Sequence, residues 1–308
     1  MVTVNFDLSD DQVALRDGVR RLCEGRFDMA RVRTGFDRSV FTELADAGVF
    51  SLRADGFGWP DVAITFQELG RVLVPGPLAW SHLAHGLLDG VVGGLERPAP
   101  GAPILVEHPD AIDGLAVIDH DGVTVVAPDV LGALTVLDWP LDPLTPVSRV
   151  EVLPDGERIG DAELARAWRL GGALLTASYQ VGMAQACVDR AGAYALERQQ
   201  FARPIGSFQA VKHLLADMAV RAEVARAAVD AAACTLDDPA TGDPVRAVSS
   251  AKLIAGEAAL QNAKGSLQVH GGMGFTWDVD VHLYLKRAWV LDTVFGTPDE
   301  HAEAVVSS

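Results

Sequence analysis

Tyr194-Ala195-Leu196-Glu197-Arg198-Gln199-Gln200-Phe201-Ala202-Arg203-Pro204-Ile205-Gly206-Ser207-Phe208-Gln209 and, later in the chain, Gln268-Val269-His270-Gly271-Gly272-Met273-Gly274-Phe275-Thr276 are the two stretches that decide this sequence. Each interrupts a helical pattern. Phe208, Val211, Leu215, Met218 and Ala222 step by three and four, while Leu253, Leu260 and Leu267 repeat every seven in an Ala-rich segment suited to close packing. Beyond Asp161 the chain therefore reads as four long helices in a bundle. The two interruptions lie between helices, where chemistry is to be sought.

Taken alone, Arg198 at a helix C-terminus can simply meet the terminal carbonyls, and Pro204 can simply stop the helix. The alternative is anion binding: a guanidinium presents a planar fork of donors that suits phosphate, and Phe201, three residues on, can cover an aromatic ligand. In the second stretch, glycines without Cβ let backbone N–H groups approach a pyrophosphate. The spacing is not GxGxxG and the cluster follows a helix, so a Rossmann site is a poor reading. His270 can line a ligand or only pack.

Outward from these stretches, Ser9-Asp10-Asp11-Gln12 is a capping box that opens a helix carrying Leu15, Val19 and Leu22. Asp61 opens another, with Val62, Phe66, Leu69 and Leu73 on one face, closed by Val74-Pro75-Gly76-Pro77. Between Pro103 and Arg158 the period shortens to that of strands: 103–106, 115–118, 123–126 and 133–136 are β-prone runs with room for four to six strands in all. The expected architecture is mainly α: an N-terminal helical domain over 1–102, a reduced β domain over 103–158 and a C-terminal four-helix bundle over 159–308.

Composition narrows the function. The 308 residues carry a net charge of −17, 25 basic against 42 acidic side chains, which argues against a nucleic-acid partner. Mean hydropathy of +0.19 argues against disorder. No apolar run reaches membrane-spanning length and no basic leader opens the chain, so no membrane span and a cytoplasmic location are expected. Three separated cysteines suggest neither disulfides nor zinc, and His82 with His85 lacks a third ligand, so no metal is expected.

In combination and in this order, Arg198-x-x-Phe201-x-x-Pro204-Ile205-x-x-Phe208-Gln209 and Gln268-x-x-Gly271-Gly272-x-Gly274-Phe275-Thr276 resemble the acyl-CoA dehydrogenase family. The opening Phe6-x-Leu8-Ser9-x-x-Gln12 and Gln67-Glu68-Leu69-Gly70-Arg71 resemble its N-terminal domain, so the likeness spans most of the chain. The resemblance implies FAD bound at a subunit interface. Arg198, Gln200, Phe201, Gln268, Gly271 and Gly272 would then contact an FAD held chiefly by another subunit.

Two departures shape the functional expectation. The family's Thr-Glu-Pro-x-x-Gly-Ser-Asp-like loop and Trp-Ile/Ser-Thr-like strand, which surround the flavin, are missing between Leu95 and Asp161. The catalytic Glu of a Tyr-Glu-Gly-Thr loop is replaced in Val294-Phe295-Gly296-Thr297 by Phe295, and the other site the family uses falls near Gly171-Gly172-Ala173. A general base contributes roughly 10²- to 10⁴-fold, and neither position holds one. The chain is expected to be the short non-catalytic subunit of an α2β2 dehydrogenase whose longer catalytic partner supplies the base. It would desaturate an acyl-CoA, including bulky steroid-type thioesters, and pass electrons to an electron-transfer flavoprotein. Two alternatives stand beside this: a homo-oligomeric dehydrogenase using Asp292, Asp299 or Glu300 as base, and a structural or regulatory paralogue without FAD.

Overall fold

The computed structural model describes residues 7–307, so Phe6 of the opening motif lies outside the described residues. Helix α1 (Asp10–Arg26) begins where the sequence predicts. Ser9 Oγ accepts from the Gln12 N–H at 3.2 Å and Gln12 Oε1 accepts from the Ser9 N–H at 3.1 Å, satisfying two donors that the helix itself cannot. Helices α2 (Met29–Val32), α3 (Arg38–Asp46), α4 (Trp59–Arg71) and α5 (Leu78–Ala84) follow. The α4 face read from spacing is the buried one, with Val62, Phe66 and Leu69 inside.

The chain divides into two compact units. One contains Ala30–Gly58 and Pro75–Gly172. Its strands are β1 (Val92–Glu96), β2 (Ile104–Glu107), β3 (Gly114–Ile118), β4 (Gly122–Val126), β5 (Leu134–Val136), β6 (Val147–Val150) and β7 (Glu157–Asp161). They form a four-stranded sheet in the order β1-β3-β4-β7 and a three-stranded sheet in the order β2-β6-β5. All four runs picked out by sequence lie on strands, and six strands, β2 to β7, begin within 103–158, inside the four to six expected there; a further strand, β1, starts the β region at Val92 rather than Pro103.

Strand β1 was hidden by its composition. Gly93 and Gly94 weaken β propensity, yet a Cβ on Gly94 would stand 2.3 Å from the Trp80 ring and one on Gly93 would stand 2.8 Å from Ile112. Glycine is needed there because side chains press directly onto the strand.

His82 of α5 belongs to the same unit, and burial pushes it down to about 4 from its ordinary value. The unfolded chain therefore takes up a proton near pH 6.5 that the folded chain refuses until about 4. Stability contributed by neutral His82 is present above pH 6.5 and lost as pH falls toward 4. Denaturant titrations across this window should show His82→Gln flattening the acid loss by about 2–3 kcal/mol.

The second unit contains Trp59–Val74, the chain from Ala173, and the described residues up to Met29. Here lie most of α6 (Ala162–Glu197), then β8 (Gln199–Gln200), β9 (Arg203–Pro204), α7 (Gln209–Asp237), α8 (Pro244–His270), α9 (Val281–Leu291) and α10 (Pro298–Ser307). Instead of four long helices there are three, of 36, 29 and 27 residues, followed by two of 11 and 10. Helix α8 packs on α7, α9 and α10.

The buried face of α8 carries Ala251, Ala255, Ala258, Ala259 and Ala263, whereas of the heptad leucines Leu267 is buried and Leu253 and Leu260 are only half-buried. Small residues let helix axes come close, so the alanines rather than the leucine repeat set the packing. Asn262 pins the helix inside the bundle, donating to the carbonyls of Ala184 at 3.2 Å and Met218 at 2.9 Å while accepting from Arg221 Nε at 3.0 Å.

Candidate functional site

Arg198 follows α6 directly, its N–H donating to the Tyr194 carbonyl at 2.9 Å. The chain then reverses in a hairpin in which Gln200 pairs with Arg203 and Gln199 with Pro204. Phe201 and Ala202 form the turn with φ of 52° and 62°. Positive φ at both central residues matches a type I′ turn, whose usual occupants are Asn and Gly. A left-handed residue with a Cβ costs roughly 1–2 kcal/mol, and Phe201 is also 88% exposed. The ring meets Phe208 edge-on with centroids 6.1 Å apart, and the strain of the turn marks its tip as a candidate contact.

This gives a test that separates stability from function. Replacing Phe201-Ala202 with Asn-Gly should raise folding stability by about 1 kcal/mol while weakening whatever the tip binds. Thermal denaturation and a ligand-retention assay on the same sample read the two effects.

The hairpin base is closed by the Ile205 N–H, which donates to the Arg198 carbonyl at 2.8 Å. Arg203 lies over Phe208 with its guanidinium carbon 4.1 Å from the ring centroid. Arg198 itself is exposed, and its guanidinium has no hydrogen-bond or ion-pair partner among the described residues. Gln200 Nε2 donates to the neighbouring Gln199 carbonyl at 2.8 Å.

The second stretch ends α8. Gln268 is exposed, and the Gly271 N–H donates to the carbonyls of Gln268 and Leu267. Gly271 has φ of 61°, which accounts for one glycine. Gly272 has no such requirement, and a Cβ there would meet nothing within 4 Å. The Gly271 N–H is thus already used, but the open space over Gly271 and Gly272 is a cradle in which a diphosphate could approach the backbone closely, so these residues fit a dinucleotide.

Tyr194 and His270 join the two stretches, their rings stacked with centroids 4.2 Å apart and planes at 23°. One helical turn beyond Tyr194 comes Arg198, and directly after His270 comes Gly271. The stack thus brings together the ends of α6 and α8 that carry the expected ligand contacts.

The α9–α10 connection, where the resemblance places the base loop, carries Phe295. Phe295 is 4% exposed with φ of 56°. Its carbonyl lies 3.0 Å from His301 Nε2, whose Nδ1 in turn meets Ser249 Oγ at 3.2 Å. Lys252 Nζ donates to the carbonyls of Leu291 at 2.9 Å and Asp292 at 3.2 Å, and burial pushes this lysine down to about 8.

Among the acids nearby, Glu300 Oε2 accepts from the Thr297 N–H at 2.7 Å and hydroxyl at 2.9 Å, capping α10. Those two bonds hold its carboxyl below the usual carboxylate range. Asp299 is exposed in the first turn of α10. Gly171, Gly172 and Ala173 are buried within α6.

Elsewhere in this unit a cleft of about 420 Å³ is lined by Arg16, Arg20, Arg71 and Arg226. Each faces a carboxylate, respectively Asp17, Glu68, Asp189 and Glu223, so the cleft presents no free positive charge. Cys23 and Cys187 are pushed up to about 12 by burial and are inert thiols. No metal-ligating cluster and no helix long and apolar enough to cross a membrane occur among the described residues.

Comparison with known proteins is consistent along the whole chain. The family model described as acyl-CoA dehydrogenase, C-terminal domain, matches residues 170–307. Acyl-CoA dehydrogenase IpdE2 of Mycobacterium tuberculosis is 34% identical over 311 residues, covering 91% of each chain. Among solved structures, the ChsE4–ChsE5 complex of Mycobacterium tuberculosis superposes with a TM-score of 0.82 at 22% identity, over 99% of this chain and 98% of that one. The steroid acyl-CoA dehydrogenase Tcur3481–Tcur3483, as its G363A variant, gives 0.79 at 20% identity over 97% of both.

Proposed function

The chain belongs to the acyl-CoA dehydrogenase family, oxidoreductases acting on CH–CH bonds, and from that premise we propose that it is the short, base-less subunit of a heteromeric dehydrogenase. In this reading it completes the FAD site of a longer catalytic subunit in an α2β2 assembly. The observation that carries the proposal is Phe295. At the position of the family's base this residue has no proton acceptor in its side chain, is buried, and has its carbonyl committed to His301.

FAD, when bound, supplies the hydride acceptor for α,β-desaturation of an acyl-CoA thioester. This chain's part is binding. Arg198 offers a diphosphate a guanidinium fork that has no partner among the described residues, the Gly271-Gly272 backbone lets it come close because no Cβ stands in the way, and Phe201 offers an exposed ring to the adenine side. Gln200 and Gln268 extend the same exposed surface with amide groups. Removal of the substrate's α-proton falls to the partner in this reading: Glu300 is engaged in capping α10, Asp299 faces solvent, and half-buried Asp292 lines a small pocket with Lys252 and His301.

A heteromeric arrangement is supported by the likeness to the ChsE4–ChsE5 complex, and a bulky steroid-type thioester by the likeness to a steroid dehydrogenase. Electrons would leave through an electron-transfer flavoprotein.

The test is co-expression with a longer family member encoded nearby, followed by flavin and subunit stoichiometry. One FAD per heterodimer, with neither flavin nor activity in this chain alone, is the expected result. A homogeneous preparation of this chain that is yellow and active by itself would refute the proposal.

A further inference from the structure

His270 is buried to 8% exposure, and its Nδ1 lies 2.8 Å from the Ser266 carbonyl oxygen. A carbonyl oxygen only accepts, so Nδ1 carries the hydrogen. In the neutral ring Nε2 is then a lone pair. That atom has no protein partner among the described residues, and it is not one of the fully buried unpaired polar atoms. One face of the ring is covered by Tyr194 at 4.2 Å, which fixes its plane. The next residue is Gly271, where the open cradle begins.

We propose that His270 is a binding residue of the dinucleotide site, with Nε2 accepting a hydrogen bond from a sugar hydroxyl of the FAD; this rests on the reading that FAD lies over Gly271 and Gly272. The chemistry selects the partner. A lone pair cannot bond a phosphate oxygen, which is itself an acceptor, but it suits a ribose or ribityl hydroxyl. Phosphate recognition is left to Arg198, with the bare backbone at Gly271 and Gly272 allowing close approach. Ring stacking and the Ser266 bond aim the acceptor without further ordering cost, since both are already made in the free chain.

The experiment uses the FAD-loaded complex of this chain with its longer co-expressed subunit. FAD dissociation is followed by flavin fluorescence for the wild type, His270→Phe, His270→Gln and Arg198→Ala. His270→Phe keeps a ring against Tyr194 and removes both nitrogens; loss of FAD about fivefold to tenfold faster is expected. His270→Gln, which returns an amide oxygen near the place of Nε2, should lie closer to the wild type. Separately, nitrogen-15 spectra of histidine-labelled wild-type complex should show Nδ1 protonated, Nε2 bare, and the Nε2 signal displaced on FAD loading.

Unchanged retention in His270→Phe, with Arg198→Ala weakened, would overturn the role of His270 and leave the trans site standing. Unchanged retention in both would instead remove the underlying reading. A protonated Nε2 in the loaded complex would also overturn the acceptor role, and that measurement on wild-type protein decides the matter even if the substituted chains fold poorly.

Discussion

In a complex containing Arg198→Ala, FAD should be held roughly 10- to 100-fold more weakly than in the wild-type complex, the range expected for losing hydrogen bonds from a charged donor to a charged acceptor. The free chain should scarcely notice. Arg198 is exposed and its guanidinium bonds no described residue, so unfolding of the isolated subunit should shift by no more than about 0.5 kcal/mol. Arg198→Lys separates charge from geometry: it keeps the cation and loses the two-pronged fork, so intermediate retention is expected. Flavin-to-protein ratios after gel filtration, beside denaturant curves of the free chain, check both halves. Equal loss of stability and flavin would mean that Arg198 acts through the fold and not through the ligand.

Gly182→Ala should do the reverse, destabilising the subunit by about 3 kcal/mol or more without touching any ligand contact. A Cβ at Gly182 of α6 would stand 1.9 Å from the Gln67 carbonyl oxygen of α4, and one at Gly70 of α4 would stand 2.0 Å from the Tyr179 carbonyl oxygen of α6. The helices cross backbone to backbone through a reciprocal glycine pair. Added methyls cannot swing away as a flexible side chain could, because the atoms they meet are main chain. Either the helices separate, or buried contacts such as the bond from Tyr179 Oη to the Val74 carbonyl at 3.0 Å are lost. Gly70→Ala should match it, and the double variant should cost less than the sum, since one displacement relieves both clashes. A melting temperature within a degree or two of wild type for either variant would show that the crossing is not so tight.

Much of the fold was legible because local signals agreed with tertiary outcome. The Ser9–Gln12 box, the α4 stripe and the four β-prone runs depend on neighbours within a turn or a strand. The errors have equally specific causes. Strand β1 falls inside the stretch expected to be helical because Gly93 and Gly94 hide its strand pattern while admitting Trp80 and Ile112, contacts that no spacing reveals. Two of the three heptad leucines of α8, Leu253 and Leu260, sit at its margin and only Leu267 is buried, since the helix buries mainly alanines against its neighbours. The last quarter of the bundle is two short helices because Asp292–Thr297 is drawn back onto α8 by Lys252 and onto α10 by His301.

For the site, the sequence determined which residue types are present: an arginine, a glycine run and an aromatic in the order of a known family, with Phe295 and Gly171-Gly172-Ala173 at the positions where the resemblance would place that family's base. Chemical identity is local and survives any folding pathway, so these statements needed no coordinates. The tertiary structure decided what those groups are free to do. It leaves Arg198 without a partner among the described residues, holds Phe201 out on a strained turn, buries Phe295, and sets His270 against Tyr194 so that a single ring nitrogen remains to act. Exposure, partnership and orientation come from which distant segments meet, and only the folded chain fixes that.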